Sequence, residues 1–200
     1  MKQCWKMTFT ASSHLPYQGR SLKRRWPRLA IFLMTNSDFS LCLARPSDAS
    51  TLAQMSRLLI EYGLKWRWTA ERVAASIQDP DANVLVARVD RRLVGFAIMR
   101  YGDDAAHLDL LAVEPAYRRL GIARQLLEWL EQCAMVAGIF EVTLEVRAGN
   151  EAAQFFYQRF GYQAITDLPG YYQGVEAAIR MRRNLSSRPS TDAALQEPLE

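Results

Sequence analysis

Residues 107–123 read HLDLLAVEPAYRRLGIA. The apolar run at 107–113 is typical of a buried β-strand, and Glu114-Pro115 ends it. A glycine-containing loop then leads into a helix predicted over residues 121–137. Its apolar side chains recur at helical spacing, at Leu126, Leu127, Leu130, Ala134 and Ala137. A strand, a loop and a helix in this order predict a right-handed crossover onto a parallel neighbouring strand.

The rest of the chain supplies the strands and helices that surround this crossover. The predicted strands cover residues 41–45, 84–89, 93–100, 107–113, 140–146, 162–166 and 175–182. The predicted helices cover residues 48–63, 69–78, 121–137 and 150–160, and the first carries Leu52, Met55, Leu58 and Leu59 at helical spacing. This order predicts an α/β fold of the α+β mixed-sheet kind. The sheet is mostly antiparallel with one parallel βαβ crossover, and helices cover both of its faces.

Basic charge is concentrated at the start of the chain. Residues 1–40 carry seven basic side chains and one acidic side chain, whereas residues 41–200 carry 18 basic and 20 acidic ones. We expect residues 1–40 to be a basic extension, either disordered or an artefact of the start site, with Met34 as the true start. Residues 20–28 could touch nucleic acid or an anionic membrane, but a solvated tail is the simpler interpretation. We expect one folded domain over residues 41–185 and a flexible tail over 186–200.

Composition excludes several classes of protein. No apolar run approaches the roughly 20 residues that cross a bilayer. Three cysteines without a Cys-x-x-Cys pair do not form a disulfide framework, and two histidines are too few for a zinc site at plausible spacing. We therefore expect a cytoplasmic protein without a metal and without stable nucleic-acid binding by the main domain. It would be a monomer or a homodimer.

The loop at residues 118–124 has the features of an anion site. The first amides of a helix have no internal partners, and the helix dipole favours negative charge there. Gly121 allows close approach of the backbone, and Arg118, Arg119 and Arg124 add positive charge. The residues alone thus suggest a phosphate or pyrophosphate site, with a tight turn bearing solvated arginines as the alternative.

Two segments resemble the motifs of a known family. Residues 111–123 are similar to motif A of the GNAT superfamily of acetyltransferases, (Gln or Arg)-x-x-Gly-x-(Gly or Ala). Residues 143–157, TLEVRAGNEAAQFFY, followed by Phe160-Gly161-Tyr162, resemble motif B. That segment is closest to the version in bacterial ribosomal-protein alanine N-acetyltransferases and other protein N-terminal acetyltransferases. The resemblance spans residues 41–185, and it implies the GNAT fold with acetyl-CoA as co-substrate.

The resemblance assigns the co-substrate site residue by residue. The loop that would hold the pyrophosphate comprises Arg118, Arg119, Leu120, Gly121, Ile122, Ala123 and Arg124. The backbone of Leu111, Ala112 and Val113 would pair with the pantetheine arm, and a bulge in this strand would free an amide, that of Val113, for the thioester oxygen. Asn150 would contact the CoA arm, although a helix N-cap explains it equally well.

The resemblance also assigns the chemistry. Glu145 would be the general base, directly or through water, with a surface position as the alternative. Tyr157 would be the general acid that protonates the departing thiolate, with a place in the core as the alternative. Glu114 is a competing candidate base, better explained as a surface acid at a strand end. His107 is interpreted as structural.

The acceptor is predicted to be a peptide N-terminus or another amine of low basicity, with lysine as an open alternative. Neutralising a lysine amine at pH 7 requires roughly 4–5 kcal/mol, whereas a peptide α-amine requires only about 1 kcal/mol. Tyr171, Tyr172 and Glu176 resemble the peptide-holding hairpin of N-terminal acetyltransferases. Trp66 and Trp68 could also contact the substrate, with core packing as an equal alternative.

These assignments predict an acetyl-CoA-dependent N-acetyltransferase that acts on a protein or peptide N-terminal α-amine. A small-molecule amine acetyltransferase, for a polyamine, an amino acid or a drug, is one alternative. A non-catalytic acetyl-CoA-binding sensor is another.

Overall fold

One mixed sheet forms the centre of the computed structural model, which describes residues 34–36 and 39–186. The strands are β1 Met34–Asn36, β2 Phe39–Leu43, β3 Ala82–Val89, β4 Arg92–Tyr101, β5 Ala105–Val113, β6 Glu141–Arg147, β7 Gln163–Tyr172 and β8 Glu176–Asn184. The helices are α1 Ala49–Leu59, α2 Ala70–Gln78, α3 Ile122–Val136 and α4 Glu151–Arg159. The predicted extension, start site and tail fall mostly outside the described residues, and the domain boundaries remain predictions.

The sheet order confirms the predicted fold class. The strands lie in the order β1-β2-β3-β4-β5-β6-β8-β7, and the β5–β6 pair is parallel while the other pairs of described strands are antiparallel. Helix α3 connects β5 to β6, which is the crossover that the sequence predicted. Strand β2 begins two residues earlier than predicted, and β1, which the sequence analysis did not predict, pairs with it.

The helices cover both faces of the sheet through two buried clusters. Helices α3 and α4 pack on one face, where Leu126, Leu127 and Leu130 are fully buried. Helices α1 and α2 pack on the other, where Leu52 and Val73 are fully buried. The prediction that Leu58 belongs to the apolar stripe of α1 is wrong, because its side chain is 69% exposed.

The parallel strands separate part-way along their length. Pairing of β5 with β6 runs from Ala105–Glu141 to Leu108–Leu144 and ends there. At this point the register of β5 against β4 shifts, since Met99 pairs with Leu108 and Ile98 with Leu110, leaving Asp109 as the extra residue of a bulge. The carboxyl-terminal parts of β5 and β6 therefore border a cleft, at the end of the sheet where α/β folds bind ligands.

Candidate functional site

The edge of β5 that faces the cleft presents backbone groups that no neighbouring strand pairs with. The Glu114 amide donates to the Val94 carbonyl at 2.8 Å, and Val113 is the register partner of Gly95. Because an antiparallel ladder alternates, the N–H and C=O groups of Leu111 and Val113 point away from β4 and toward the cleft. The bulge lies at Asp109, earlier in the strand than Val113, yet the Val113 amide still faces the cleft. Its assignment to the thioester oxygen remains a prediction.

The loop before α3 exposes uncapped amides. Arg119 and Gly121 both have left-handed backbone conformations, with φ of 67° and 81°. No side chain caps the amino end of the 15-residue helix α3. The amides that open the helix are thus available to an anion, in the field of a helix dipole. The donor set fits a pyrophosphate.

The arginines of this loop are held by neighbouring groups. The Arg118 Nε donates to the Val113 carbonyl at 3.2 Å, and the Arg124 Nε donates to Glu128 on the next turn of α3 at 2.8 Å. Asn150 caps α4, since its side chain accepts a hydrogen bond from the Ala153 amide at 3.1 Å. The N-cap interpretation of Asn150 is therefore correct, and its contact with the CoA arm remains a prediction.

Glu145 lies on the face of β6 that the core does not use. Strand alternation buries Val142, Leu144 and Val146 against α3 and turns Glu145 to the opposite face. One of its carboxylate oxygens accepts from the Arg180 Nε at 2.7 Å, and the other lies 3.1 Å from the His107 Nε2. The side chain is only 7% exposed, which excludes a simple surface position.

Two opposing effects set the proton affinity of Glu145. Burial raises the pKa of its carboxyl group, but the hydrogen bonds and charges of His107 and Arg180 outweigh burial and lower the pKa to about 2. The carboxylate is therefore ionised at neutral pH and is a weak base.

This lowered pKa predicts a pH dependence of stability. An ionised Glu145 stabilises the fold fully above the ordinary pKa of 4.5, and this stabilisation is lost as the pH falls toward about 2. Urea unfolding measures the free energy of unfolding at pH 6 and at pH 3. Between these two pH values, that free energy should fall by about 2 kcal/mol more in wild type than in the Glu145→Gln variant. Glu141→Gln on the same strand is the control, because Glu141 is 43% exposed and 3.7 Å from Arg182. An equal fall in the free energy of unfolding in wild type and Glu145→Gln would contradict the pairing of Glu145 with His107 and Arg180.

Tyr157 is enclosed by aromatic rings. Its ring packs edge-on against Phe156 at 5.2 Å and Tyr162 at 5.6 Å. Burial, with a smaller contribution from Tyr172, raises the pKa of its phenol well above the ordinary value, so the phenol keeps its proton. Its hydroxyl makes no hydrogen bond with any residue between 39 and 186 and is not fully enclosed. Tyr157 thus packs in the core and still has a proton that it can donate.

The β7–β8 hairpin brings its tyrosines to Glu145. Tyr171 and Tyr172 stack edge-to-face at 5.1 Å, and the Tyr172 hydroxyl lies 3.5 Å from the Glu145 carbonyl. Burial and the negative charge of the nearby Glu145 carboxylate raise the pKa of Tyr171. Glu176 pairs with Arg147 at 3.2 Å instead of pointing at Glu145. The predicted pair of tyrosines and the predicted base therefore lie in one place.

The α1–α2 loop is tied to this hairpin. The backbone of Lys65 exchanges two hydrogen bonds with the Gln173 side chain, at 3.0 and 2.9 Å. The Arg147 guanidinium donates to the Tyr62 carbonyl at 2.8 Å. Buried Glu61 holds the loop from inside, accepting from the amides of Arg67 and Trp68.

Several residues of this site were not predicted from sequence patterns. Arg180, Gln173 and Glu61 carry no motif signal, because their partners are distant in sequence. The sequence indicated only a structural role for His107, but its side chain contacts the predicted base, Glu145. Trp68 is buried among apolar side chains of the α1–α2 face, as the core alternative predicted. Glu114 pairs with Arg92 at 2.8 Å at the strand end.

Other features of the described residues bear on the site's chemistry. Between residues 39 and 186, no three His, Cys, Asp or Glu side chains form a group that could hold a metal ion. The thiols of Cys42 and Cys133 are free. Within the same part of the chain, no helix has the length and apolar character needed to span a bilayer.

The sequence profile of the Acetyltransferase (GNAT) family matches residues 52–162, more than half of the chain. The chain belongs to this family. The predicted family, and with it an acetyl-CoA-dependent N-acetyltransferase activity, is thereby confirmed.

Individual relatives agree with this assignment. The "[Ribosomal protein bS18]-alanine N-acetyltransferase" of Salmonella typhimurium is 39% identical over 100 residues, which cover 48% of this chain and 68% of that protein. The Escherichia coli K12 protein of the same name is 38% identical over 98 residues, covering 48% and 66%. An uncharacterized N-acetyltransferase of Methanocaldococcus jannaschii is 39% identical, and the match covers 62% of it. The chain thus spans about two thirds of the length of these GNAT relatives.

Solved structures share the fold. The ribosomal-protein-S18-alanine N-acetyltransferase from Escherichia coli superposes with a TM-score of 0.65 at 26% identity, covering 76% of this chain and 97% of that one. Ard1 from Thermoplasma volcanium has a TM-score of 0.66 at 23% identity, covering 74% and 98%, which supports the GNAT fold alone.

Proposed function

We propose that this GNAT enzyme transfers the acetyl group of acetyl-CoA to the N-terminal α-amine of a protein or peptide. The observation that carries the proposal is the meeting of Glu145, Tyr171 and Tyr172 beside the open edge of β5. Glu145 and the two tyrosines form an acceptor site for an amine. The free backbone amides of β5 beside it form a site for acetyl-CoA. The names of the bS18-alanine N-acetyltransferase relatives support the same class of acceptor.

Each part of the site has a role in this reaction. The amides of residues 119–124 bind the pyrophosphate, and the edge formed by Leu111, Ala112 and Val113 pairs with the pantetheine arm. The Val113 amide donates to the thioester oxygen. The amine nitrogen forms a bond to the acetyl carbon while the carbon–sulfur bond breaks. The proton that the nitrogen loses passes through water at Glu145 to solvent, and Tyr157 gives its proton to the sulfur and regains one from solvent.

The weak basicity of Glu145 favours an α-amine as acceptor. A carboxylate with a pKa of about 2 removes a proton from an ammonium only at a high cost in free energy, so it acts best through water on an amine that is already partly neutral. Neutralising a peptide α-amine at pH 7 costs about 1 kcal/mol, several kcal/mol less than a lysine. Tyr171 and Tyr172 then line the place where the first residue of the peptide would lie.

One observation favours a smaller acceptor. The two hydrogen bonds between Lys65 and Gln173 join the α1–α2 loop to the β7–β8 hairpin. A link of this kind beside the acceptor side of the cleft would suit a small amine such as a polyamine. A small-molecule amine acetyltransferase is therefore the second candidate function.

A competition assay separates the two candidates. The purified protein is incubated with acetyl-CoA and an alanine-starting peptide, the same peptide with a blocked N-terminus and one free lysine, or spermidine. We expect thiol release and a mass gain of one acetyl group with the free N-terminus only. Acetylation of spermidine in preference to the peptide would favour the second candidate. Tight acetyl-CoA binding without transfer to any amine would indicate a sensor and overturn the proposal.

The loop before α3 yields a further prediction. Gly121→Val should raise the KM for acetyl-CoA about tenfold and change kcat little, because a β-branched residue avoids a φ of 81° and would redirect the amides. Gly138→Val is the matched control, since Gly138 has a φ of 78°, follows the other end of α3 and likewise has open space at the Cβ position. Steady-state kinetics check both variants. An equal rise in KM for the two would show that strain alone, and not the anion site, is responsible.

A further inference from the structure

Both ring nitrogens of His107 are engaged beside the acceptor site. The Nδ1 lies 2.9 Å from the Thr143 hydroxyl, and the Nε2 lies 3.1 Å from a carboxylate oxygen of Glu145. The parallel register places His107 opposite Thr143. The ring is therefore fixed by two contacts on β6, and one of them is with the proposed base.

The Thr143 hydroxyl can serve either charge state of this ring. It lies 3.4 Å from the Ala106 carbonyl and can donate to it. When the imidazole is neutral, the hydroxyl donates to Nδ1 and Nε2–H donates to Glu145. When the imidazole is charged, Nδ1–H donates to the hydroxyl, which turns to donate to Ala106. Gaining or losing a proton then requires only the rotation of one hydroxyl group, so the ring can change charge without moving Glu145.

Charged or ionisable groups from the neighbouring elements face this pair. They are Arg100 on β4, Asp109 on β5, Arg180 on β8, Tyr171 on β7, and Asp79 and Asp81 after α2. Arg100 is committed to Asp109 at 2.6 Å, and Arg180 to Glu145 at 2.7 Å. When His107 is charged, Glu145 thus lies between two cations, His107 and Arg180. When His107 is neutral, Arg180 is the cation that remains paired with Glu145.

His107 also borders solvent. A surface cavity at the turn between β4 and β5 is lined by His107, Arg100, Asp79 and Asp81, and the His107 side chain is 29% exposed. The imidazole can therefore exchange a proton with water through this cavity.

We propose that His107 is a positioning residue whose charge sets the basicity of Glu145, so that acetyl transfer turns on as the imidazole loses its proton to solvent in the cavity. The inference rests on the proposed function, because it needs Glu145 to assist the acceptor amine. It adds a pH-dependent control to the site.

The test compares His107→Gln with wild type across pH 5.5–8.5. Glutamine can donate to Glu145 and accept from Thr143, so it imitates the neutral ring but does not titrate. Both proteins acetylate the same alanine-starting peptide, and the ratio of their kcat/KM values cancels the titration of the acceptor amine. Because the variant lacks the charge that would turn activity down at low pH, we expect the variant-to-wild-type ratio to rise several-fold from pH 8 to pH 5.5.

A second pair of variants tests the hydroxyl group. Thr143→Val removes the acceptor that the charged ring needs, so the acidic limb of the pH profile should move to lower pH. Thr143→Ser keeps the hydroxyl and should follow wild type. A flat ratio for His107→Gln, or an unmoved limb for Thr143→Val, would overturn the role of His107 while leaving the enzyme an acetyltransferase. Wild type that acetylates no peptide at any pH would instead overturn the proposed function, and this inference with it.

Discussion

Replacing Tyr157 with phenylalanine is expected to lower kcat by at least about 100-fold and to leave the KM for acetyl-CoA nearly unchanged. The ring is buried against Phe156 and Tyr162, so phenylalanine fills the same space and the fold is retained. What is lost is the one phenolic proton at this position, and general acid catalysis contributes about 10²–10⁴ in rate. Steady-state kinetics with a fixed peptide, together with circular dichroism, measure the effect.

Tyr162→Phe is the matched control for this prediction. Tyr162 is also a buried tyrosine, but its hydroxyl donates to Glu131 at 2.9 Å within the core of the α3 face. Its loss should reduce stability and leave kcat per folded molecule close to wild type. If Tyr157→Phe keeps wild-type kcat, Tyr157 is only a core residue, and the proton for the thiolate comes from elsewhere.

Replacing Glu131 with alanine is expected to lower the free energy of unfolding by about 3 kcal/mol. Glu131 is 4% exposed on α3 and accepts from the Tyr162 hydroxyl at 2.9 Å and from the Arg183 guanidinium at 2.7 Å. Burial raises the pKa of this carboxyl group, against the lowering effect of Arg183. Removing it leaves a cation and a hydroxyl without their partner, and breaking a buried pair in this way costs about 3–5 kcal/mol. Urea unfolding at pH 7 measures the change.

The same helix offers a control for Glu131. Glu128 is 44% exposed and pairs with Arg124 on the surface. Glu128→Ala should change the free energy of unfolding by about 0.5 kcal/mol or less, because solvent weakens exposed ion pairs. Equal effects at the two positions would show that the buried network around Glu131 contributes no more than a surface pair.

Much of the fold could be predicted from local patterns. Thr69 was predicted to begin the second helix, and its side chain accepts from the Arg72 amide at 3.4 Å. The turn at residues 90–91 joins β3 and β4 into the predicted hairpin. These signals are local, because caps, turns and strand alternation depend on residues within a few positions. Leu58 was misassigned because helical spacing shows which residues share a face but not where that face ends against its neighbour.

The candidate site also has one part that local sequence predicts and one part that depends on contacts between distant residues. The predicted anion loop is encoded within residues 118–124, since a glycine, a helix start and clustered arginines lie next to one another in the sequence. The acceptor side depends on pairs that are far apart in sequence, such as Lys65 with Gln173 at a separation of 108 residues. Sequence patterns assign Glu145 to a strand, but only the packing of β8 and β5 against β6 places Arg180 and His107 on its carboxylate.

The sequence by itself determined the family and the crossover and predicts the phosphate-binding loop, because each is specified by contiguous residues that control their own backbone conformation. The tertiary structure alone decided the charge environment of Glu145 and the link between Lys65 and Gln173. The first arises where β5, β6 and β8 meet and the second where the α1–α2 loop meets the β7–β8 turn, and the register between strands is fixed by the packing of the whole sheet.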